Sequence, residues 1–236
     1  MPTLLPTLLL TLACALPLAS AAADIVLTQA DGSPLRLAAP AQRIVALSPH
    51  LVEGLYAAGA GERLIATVEY SEFPPAAAEL PRIGDAFRLD VERIVSLRPD
   101  LVIAWDSGNP RPAIAQLRAL GLTVWSVEIR TPDEIAGFIE TAGHAVGRDR
   151  QAAAVAERLR ERLASLAARY ASARPLEYFY QVDVQPLYTI NGQHLISRGL
   201  ALCGGVNIFA EQPGLAFQAA RESVIVANPA AIFAPL

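Results

Sequence analysis

The stretch "LDVERIVSLRPDLVIAWDSGNP", residues 89–110, combines two periodicities and then breaks off. Leu89, Ile94 and Leu97 fall near one side of a short predicted helix, and the run "DLVIAW" has the length and apolar character of a buried strand. The run ends in Trp105 and is followed by turn-forming residues. A large aromatic side chain at the end of a buried strand is a candidate for ligand binding.

The alternation of helix and strand extends in both directions from this stretch. A hairpin with its turn at Asp31 and Gly32 is predicted near the start, and strands and helices then alternate from "RIVALS" to "LTVWSV". Gly59, Gly61 and Gly121 are predicted to end helices. This alternation predicts an α/β fold with mostly parallel sheets that are covered by helices on both faces.

The longest helical pattern runs from Arg150 to Ala173, contains neither Gly nor Pro, and separates charged from apolar residues. Such a helix reaches roughly 35 Å, about the width of a small domain. Because strand signals resume after Pro175, we interpret it as a bridge between two lobes. An ordinary long helix on a single domain is the alternative. The expected division is stated by number: a first lobe at 24–147, a linking helix at 148–174 and a second lobe at 175–236.

The two ends of the chain carry further predictions. Residues 1–23 have the apolar run and the small residues of a secretory signal peptide, so we expect a periplasmic protein without membrane insertion. A transmembrane anchor and lipidation at Cys14 are the alternatives. The chain stops in the strand-like run "AAIFAPL", so we expect an incomplete second lobe whose exposed edge favours aggregation.

Composition and motifs exclude several classes of function. A net charge of -4 and a hydrophobic fraction of 53% argue against nucleic-acid binding and against disorder. His50, His144 and His194 lack partners at metal-ligand spacing, and we interpret them as satisfied or exposed histidines. No hydrolase, phosphate-binding or metalloprotease motif is present, so we predict no catalytic residue, no metal site and no cofactor.

In open α/β sheets, ligands bind beyond the carboxyl ends of the strands. This rule selects residues that follow predicted strands, together with an aromatic residue placed in a loop of the second lobe. They are Ser48, Pro49, Tyr70, Trp105 and Phe217. Aromatic side chains dominate the set, so the predicted cleft binds a flat apolar ligand and performs no chemistry on it.

Several motifs, in this order, resemble the substrate-binding proteins of bacterial ABC importers for cobalamin, siderophores and haem. They are "RIVALSP", "YSEFPP", "LDVERIVSLRPDLVIAW", "YTINGQHLIS", "LCGGVNIF" and "ARESVIVANPAAI". The similarity is strongest to the cobalamin-binding members and runs from Arg43 to the last residue. It implies a helical-backbone periplasmic binding protein that captures cobalamin between two lobes and delivers it to a permease dimer. It also implies that part of the second lobe is missing.

The resemblance assigns roles to individual residues. Tyr70 and Trp105 match positions that contact cobalamin in the family. Glu92 and Glu222 match the carboxylates, one per lobe, that pair with arginines of the permease. Cys203 matches a disulfide-bonded cysteine whose partner would lie in the missing segment.

The sequence departs from the cobalamin pattern at Ala86 and Ala216, where the family has tryptophan. Phe87 and Phe217 follow immediately and are predicted to supply the aromatic surface instead. We therefore predict a monomeric cobalamin-binding protein. The alternatives are the same fold binding a ferric siderophore or haem, a secreted α/β enzyme of unknown reaction, and a sensor or adhesion module.

Overall fold

The computed structural model describes residues 24–85 and 87–234 of the chain. The predicted signal peptide and Ala86 lie outside the described residues. Within the described residues, no helix combines the length and the apolar character needed to cross a lipid bilayer.

The first lobe starts with an antiparallel hairpin and continues with four parallel strands that alternate with helices. Its elements are β1 (Ile25–Thr28), β2 (Pro34–Leu37), β3 (Ile44–Ala46), α1 (Pro49–Ala57), β4 (Leu64–Thr67), α2 (Pro75–Ala78), α3 (Val91–Ser96), β5 (Leu101–Trp105), α4 (Arg111–Ala119), β6 (Val124–Val127) and α5 (Pro132–Ala145). The predicted hairpin turn is confirmed, since β1 pairs with β2 and Gly32 has φ +83°. Gly59 and Gly121 also have positive φ after α1 and α4. The prediction for Gly61 was wrong, because this residue begins a 3-10 helix.

The parallel sheet has the strand order β4-β3-β5-β6. The chain therefore passes from β3 outwards to β4 and then returns past β3 to β5. The loops after β3 and β5 diverge to opposite faces of the sheet, which makes this the topological switch point, where ligands bind in open α/β sheets.

Both faces of this sheet are buried. Ile44 and Leu101 belong to a cluster that includes the hairpin, α1 and α5, whereas Val45 and Val102 belong to a second cluster that includes α3 and α4. Side chains alternate between the two faces of a strand, so burial on both faces requires a continuous apolar run. This explains the sequence "LVIAW" that led to the strand prediction.

The long helix α6 (Asp149–Tyr170) has 22 residues and lies within the range predicted for the linking helix. Its first half is attached to the first lobe. Ala152 and Ala156 are buried in the cluster beside α5, and the Arg160 guanidinium pairs with the Glu140 carboxylate at 2.7 Å. These contacts fix the first half of α6 to the first lobe.

The second lobe contains a three-stranded parallel sheet and a three-stranded antiparallel sheet. Its elements are β7 (Leu176–Tyr180), β8 (Asp183–Val184), β9 (Leu187–Ile190), α7 (Leu195–Ala201), β10 (Gly205–Asn207), β11 (Ala216–Gln218), α8 (Arg221–Ala227) and β12 (Ala231–Phe233). The strand orders are β10-β7-β12 and β11-β9-β8. The α/β fold of two lobes bridged by one long helix is thus confirmed. The antiparallel sheet was not predicted, and Phe217 was wrongly placed in a loop, because its backbone pairs with Thr189 in that sheet.

Candidate ligand-binding site

The buried side chain of Asn109 holds the two loops at the switch point together. Its Nδ2 donates a hydrogen bond to the Leu47 carbonyl after β3 at 2.9 Å, and its Oδ1 accepts one from the Trp105 backbone N–H at 2.7 Å. Asn109 is 4% exposed, so these bonds are protected from water. One side chain therefore fixes the "DSGNP" loop to the ends of both β3 and β5.

Trp105 is held at this edge of the sheet by neighbours on several sides. It packs against the buried cluster beneath it, and the Gly108 backbone lies so close to its six-membered ring that an added Cβ would overlap the ring. The His50 ring meets the Trp105 ring edge-on, with the ring centroids 5.3 Å apart. Trp105 remains half-buried, so part of its ring is available to a ligand.

A cavity of about 220 Å³ adjoins Trp105 between β5, β6 and α4. Drug-sized ligands occupy pockets of about 300–1,000 Å³. The cavity is thus too small for a macrocyclic ligand, which would have to lie outside it, against the exposed part of the ring.

Ser48 and His50 form a second fixed pair at the switch point. Ser48 is the N-cap residue of α1, yet its side chain makes no capping bond to the helix. Its Oγ lies 2.7 Å from His50 Nδ1 instead. Ser48 is 2% exposed, so a ligand has almost no access to its side chain. It can influence a ligand only by positioning its neighbours Pro49 and His50.

His50 keeps part of its surface exposed although it lies among many neighbouring atoms. Desolvation lowers the pKa of His50 below its ordinary value, and the negative charge of Glu128 opposes this shift. The imidazole is therefore neutral at neutral pH, with one nitrogen that donates and one that accepts hydrogen bonds.

The loop after β4 presents Tyr70, whose ring is 80% exposed. Tyr70 has φ +64°, a left-handed conformation that is costly for a bulky residue and persists only when its surroundings impose it. The residues that follow Tyr70 are held in place, because the Arg82 guanidinium donates hydrogen bonds to the carbonyls of Ser71 and Ala77. Thr67 also bonds the Ser71 hydroxyl at 3.0 Å.

Phe87 lies on the loop next to that of Tyr70. The two loops are joined because the Glu69 N–H donates to the Gly84 carbonyl at 2.9 Å. The Asp85 carboxylate accepts bonds from the backbone N–H groups of Phe87 and Arg88, and the Phe87 ring is left 74% exposed. The structure thus brings Tyr70 and Phe87 onto one rim, and Ser48, Pro49 and Trp105 onto the neighbouring switch point.

Phe217 belongs to the second lobe. Its ring contacts Phe209 edge-on at 5.7 Å, and Phe209 contacts Phe179 in the same way at 6.0 Å. Phe217 is half-buried at the outer end of this aromatic row, so one part of the ring stays available.

The remaining predicted residues lie on the surface. Glu92 and Glu222 are both exposed, and each is the second residue of its short helix, α3 or α8. Cys203 follows α7, is exposed and forms no disulfide within the described chain. Its predicted pairing stays a prediction.

No cluster of three or more His, Cys, Asp or Glu side chains that could hold a metal ion occurs in residues 24–85 and 87–234. The geometry offers aromatic surface, a neutral imidazole and fixed loops. It suits the binding of a large ligand.

The sequence predicted polar ligand contacts from the "DSGNP" segment and the Ser48 loop, but not the individual roles of Gly108, Asn109 and His50. The roles of Gly108 and Asn109 depend on the adjacency of β3 and β5, which a single sequence does not reveal. For His50 there was a signal, since it follows Ser48 and Pro49 directly after a strand.

Comparison with known proteins identifies the family to which this chain belongs. The family model described as "Periplasmic binding protein" matches residues 44–235. The vitamin B12-binding protein of Vibrio cholerae serotype O1 is 43% identical over 194 residues, which cover 82% of this chain and 70% of the relative.

Solved structures of periplasmic binding proteins also match this chain. The crystal structure of the periplasmic vitamin B12-binding protein BtuF of Vibrio cholerae matches with a TM-score of 0.78 and 42% identity, over 83% of this chain and 76% of that one. The periplasmic heme-binding protein RhuT from Roseiflexus sp. RS-1 matches with a TM-score of 0.74 and 24% identity, over 82% of this chain and 76% of that one. The second match bears on the fold alone.

Proposed function

The chain belongs to the periplasmic binding protein family, and from this premise we propose that it captures a corrinoid between its two lobes and delivers it to an ABC importer. The family is one of binding proteins and not of enzymes. The observation that carries the choice of ligand is the vitamin B12-binding relative in Vibrio cholerae, at 43% identity. Trp105, fixed at the switch point, would provide the aromatic surface on which the corrinoid stacks.

The proposed binding mode is stacking and shape. A corrinoid has a flat apolar macrocycle edged by amide groups. Tyr70, Phe87 and Trp105 from the first lobe and Phe217 from the second would cover the apolar surface at a low cost in side-chain entropy. Pro49 would border the same surface, and the buried Ser48 would contribute by holding the His50 ring. Ala216 and Ala86, where the resemblance leads one to expect tryptophan, leave this task to the adjacent phenylalanines.

Delivery would use one carboxylate on each lobe. Glu92 and Glu222 are exposed at equivalent positions of α3 and α8. Two negative charges, one per lobe, would meet arginines of a permease dimer and set the orientation of docking. A glutamate in the first turn of a helix is also favoured by the helix dipole. Only a transport measurement separates the two roles.

The location and assembly follow from the same proposal. A protein that collects a corrinoid for an inner-membrane importer works in the periplasm, after removal of residues 1–23. It would act as a monomer, because one binding protein with one docking carboxylate on each lobe suffices for a permease dimer.

Haem is the second candidate ligand, and His50 is the observation that favours it. An imidazole beside Trp105 is a chemically suitable ligand for haem iron. A ferric siderophore has no comparable feature in its favour among the described residues.

The test is to titrate the purified protein separately with cyanocobalamin, haemin and ferrichrome, and to measure binding by isothermal titration calorimetry. Absorption spectra of the haemin titration are recorded as well. We expect saturable 1:1 binding of cyanocobalamin at micromolar concentration or below. Haemin binding with a shifted Soret band, together with no response to cyanocobalamin, would replace the corrinoid by haem. Binding of neither would contradict both candidates.

A further inference from the structure

We propose that His50 is a specificity-determining residue that makes a direct hydrogen bond to a polar group of the bound corrinoid. This inference rests on the proposed function, since it concerns the same site. It goes further by assigning a polar contact to a residue outside the set predicted to bind.

The first step of the argument is that the imidazole is held in place. Ser48 Oγ lies 2.7 Å from His50 Nδ1, and the His50 ring stands against Trp105 at an angle of 87°. An N-cap serine normally accepts a bond from its own helix. The Ser48 side chain makes no such capping bond, and its hydroxyl bonds to His50 instead. Two neighbours therefore fix both the position and the tilt of the ring.

The second step is that the ring is at the right place. His50 lies in the first turn of α1, directly after β3, and Trp105 ends β5. These strands flank the switch point. Any ligand that stacks on the exposed part of Trp105 comes within reach of a ring whose centroid is 5.3 Å from that of Trp105.

The third step is chemical. With Nδ1 engaged by Ser48, Nε2 remains the nitrogen that can bond to a ligand. A neutral imidazole suits the amide groups at the edge of a corrinoid, because it can serve an amide as donor or acceptor. Desolvation by the surrounding protein atoms lowers the pKa of His50, although part of the residue is exposed, and this favours the neutral form.

The test compares His50→Phe with His50→Gln by calorimetric titration with cyanocobalamin. Phenylalanine keeps a ring beside Trp105 but removes both nitrogens, whereas glutamine keeps a hydrogen-bonding group of similar reach. We expect His50→Phe to raise the Kd about 2- to 10-fold, and His50→Gln to recover at least part of this loss. Ser48→Ala should weaken binding by a smaller factor, since the nitrogen remains while its orientation is lost.

His144→Phe is the matched control. His144 is exposed on α5, where it pairs with Asp149, and its replacement should leave the Kd unchanged. Thermal unfolding of each variant verifies that it is folded. Wild-type affinity in His50→Phe would overturn the inference while leaving the proposed function in place. An equal loss in His50→Phe and His50→Gln would overturn it in favour of packing. A wild-type protein that fails to bind cyanocobalamin would refute the proposed function itself.

Discussion

In the first lobe, two clusters of buried side chains cover both faces of the parallel sheet. In the described part of the second lobe, the buried apolar side chains are Tyr178, Phe179 and Ile190. Its outer elements leave Val226 84% and Ile232 63% exposed. Because hydrophobic stabilisation scales with the apolar area removed from water, most of it in the described chain lies in the first lobe.

This difference has a functional meaning. The residues at the switch point sit on a sheet buried on both faces, so Trp105 is presented by a rigid support. Phe217 sits on a strand of three residues in the second lobe, where fewer of the described apolar side chains are buried. Within the described chain, the first lobe therefore supplies the more firmly supported part of the candidate site.

The largest expected effect is on cobalamin uptake, and it tests whether the docking surfaces of both lobes are needed. Glu92→Lys together with Glu222→Lys should lower uptake of labelled cobalamin by about 100-fold or more, because like charges facing each other cost several kcal/mol. Uptake is measured in cells that carry the matching permease and lack their own binding protein.

Each single reversal should retain part of this uptake if both lobes contribute to docking. Glu157→Lys on α6 makes the same change of charge at an exposed position and should transport normally. Normal uptake by the double variant would show that these glutamates are ordinary surface residues.

The next prediction compares the two cores. Leu101→Ala removes a fully buried side chain from β5, one of the two inner strands of the first-lobe sheet, and should lower the free energy of unfolding by about 2–5 kcal/mol. Ile232→Ala on β12 should change it by less than about 0.5 kcal/mol, because that side chain is 63% exposed. Urea unfolding followed by far-ultraviolet circular dichroism measures both. Equal losses would mean that the second lobe is as tightly packed as the first.

A third prediction uses one buried asparagine from each lobe. Asn207 resembles Asn109, since its Nδ2 donates to the Ile190 carbonyl at 2.8 Å and its Oδ1 accepts from the Phe209 N–H at 2.8 Å. Replacing either asparagine with alanine leaves buried backbone groups unpaired and should cost about 1–3 kcal/mol.

The two asparagine variants should differ in their effect on tryptophan fluorescence. Both tryptophans lie in the first lobe, so Asn109→Ala should shift the fluorescence maximum while Asn207→Ala should not. Asn109→Ala should also weaken cyanocobalamin binding. A fluorescence shift in Asn207→Ala alone would contradict the assignment of Asn109 to the Trp105 support.

The smallest expected effect concerns pH. Desolvation lowers the pKa of His50 in the first lobe and of His194 in the second, below the ordinary value of 6.5. The unfolded chain therefore takes up protons first as the pH falls. The stability associated with these neutral rings is complete above pH 6.5 and is lost as the pH falls through the lowered pKa values.

Urea unfolding at pH 7.5 and pH 5 measures this slope. His50→Phe and His194→Phe should each flatten it, because each replacement removes a ring whose pKa desolvation lowers in the folded protein. A steeper slope in His50→Phe would contradict the sign of this effect.

Sequence periodicity predicted the elements around residues 89–110 because a strand buried on both faces must be apolar throughout. It also predicted α6, whose pattern is long and uninterrupted. The runs "EYFYQVDV" and "LYTI" predicted strands where β7, β8 and β9 lie, but their antiparallel pairing and β11 escaped prediction. Pairing depends on tertiary packing, and a strand of three residues such as β11 is too short to establish a period.

At the candidate site, the rule for strand ends predicted the place of Trp105, since that rule needs only the order of elements along the chain. The bond from Asn109 to Leu47 spans 62 residues and requires β3 to lie beside β5. Gly108 could be recognised only once the Trp105 ring lay against its backbone. Long-range neighbours of this kind are set by tertiary packing and not by local pattern.

The most direct test of the central claim is the quenching of tryptophan fluorescence by cyanocobalamin, corrected for absorption by the ligand. Trp125 provides the control, because it is 2% exposed within the core of the same lobe. We predict saturable quenching in the wild type and in Trp125→Phe, and loss of most of the quenching and affinity in Trp105→Ala. Undiminished affinity in Trp105→Ala would contradict the claim that the tryptophan at the switch point binds the ligand.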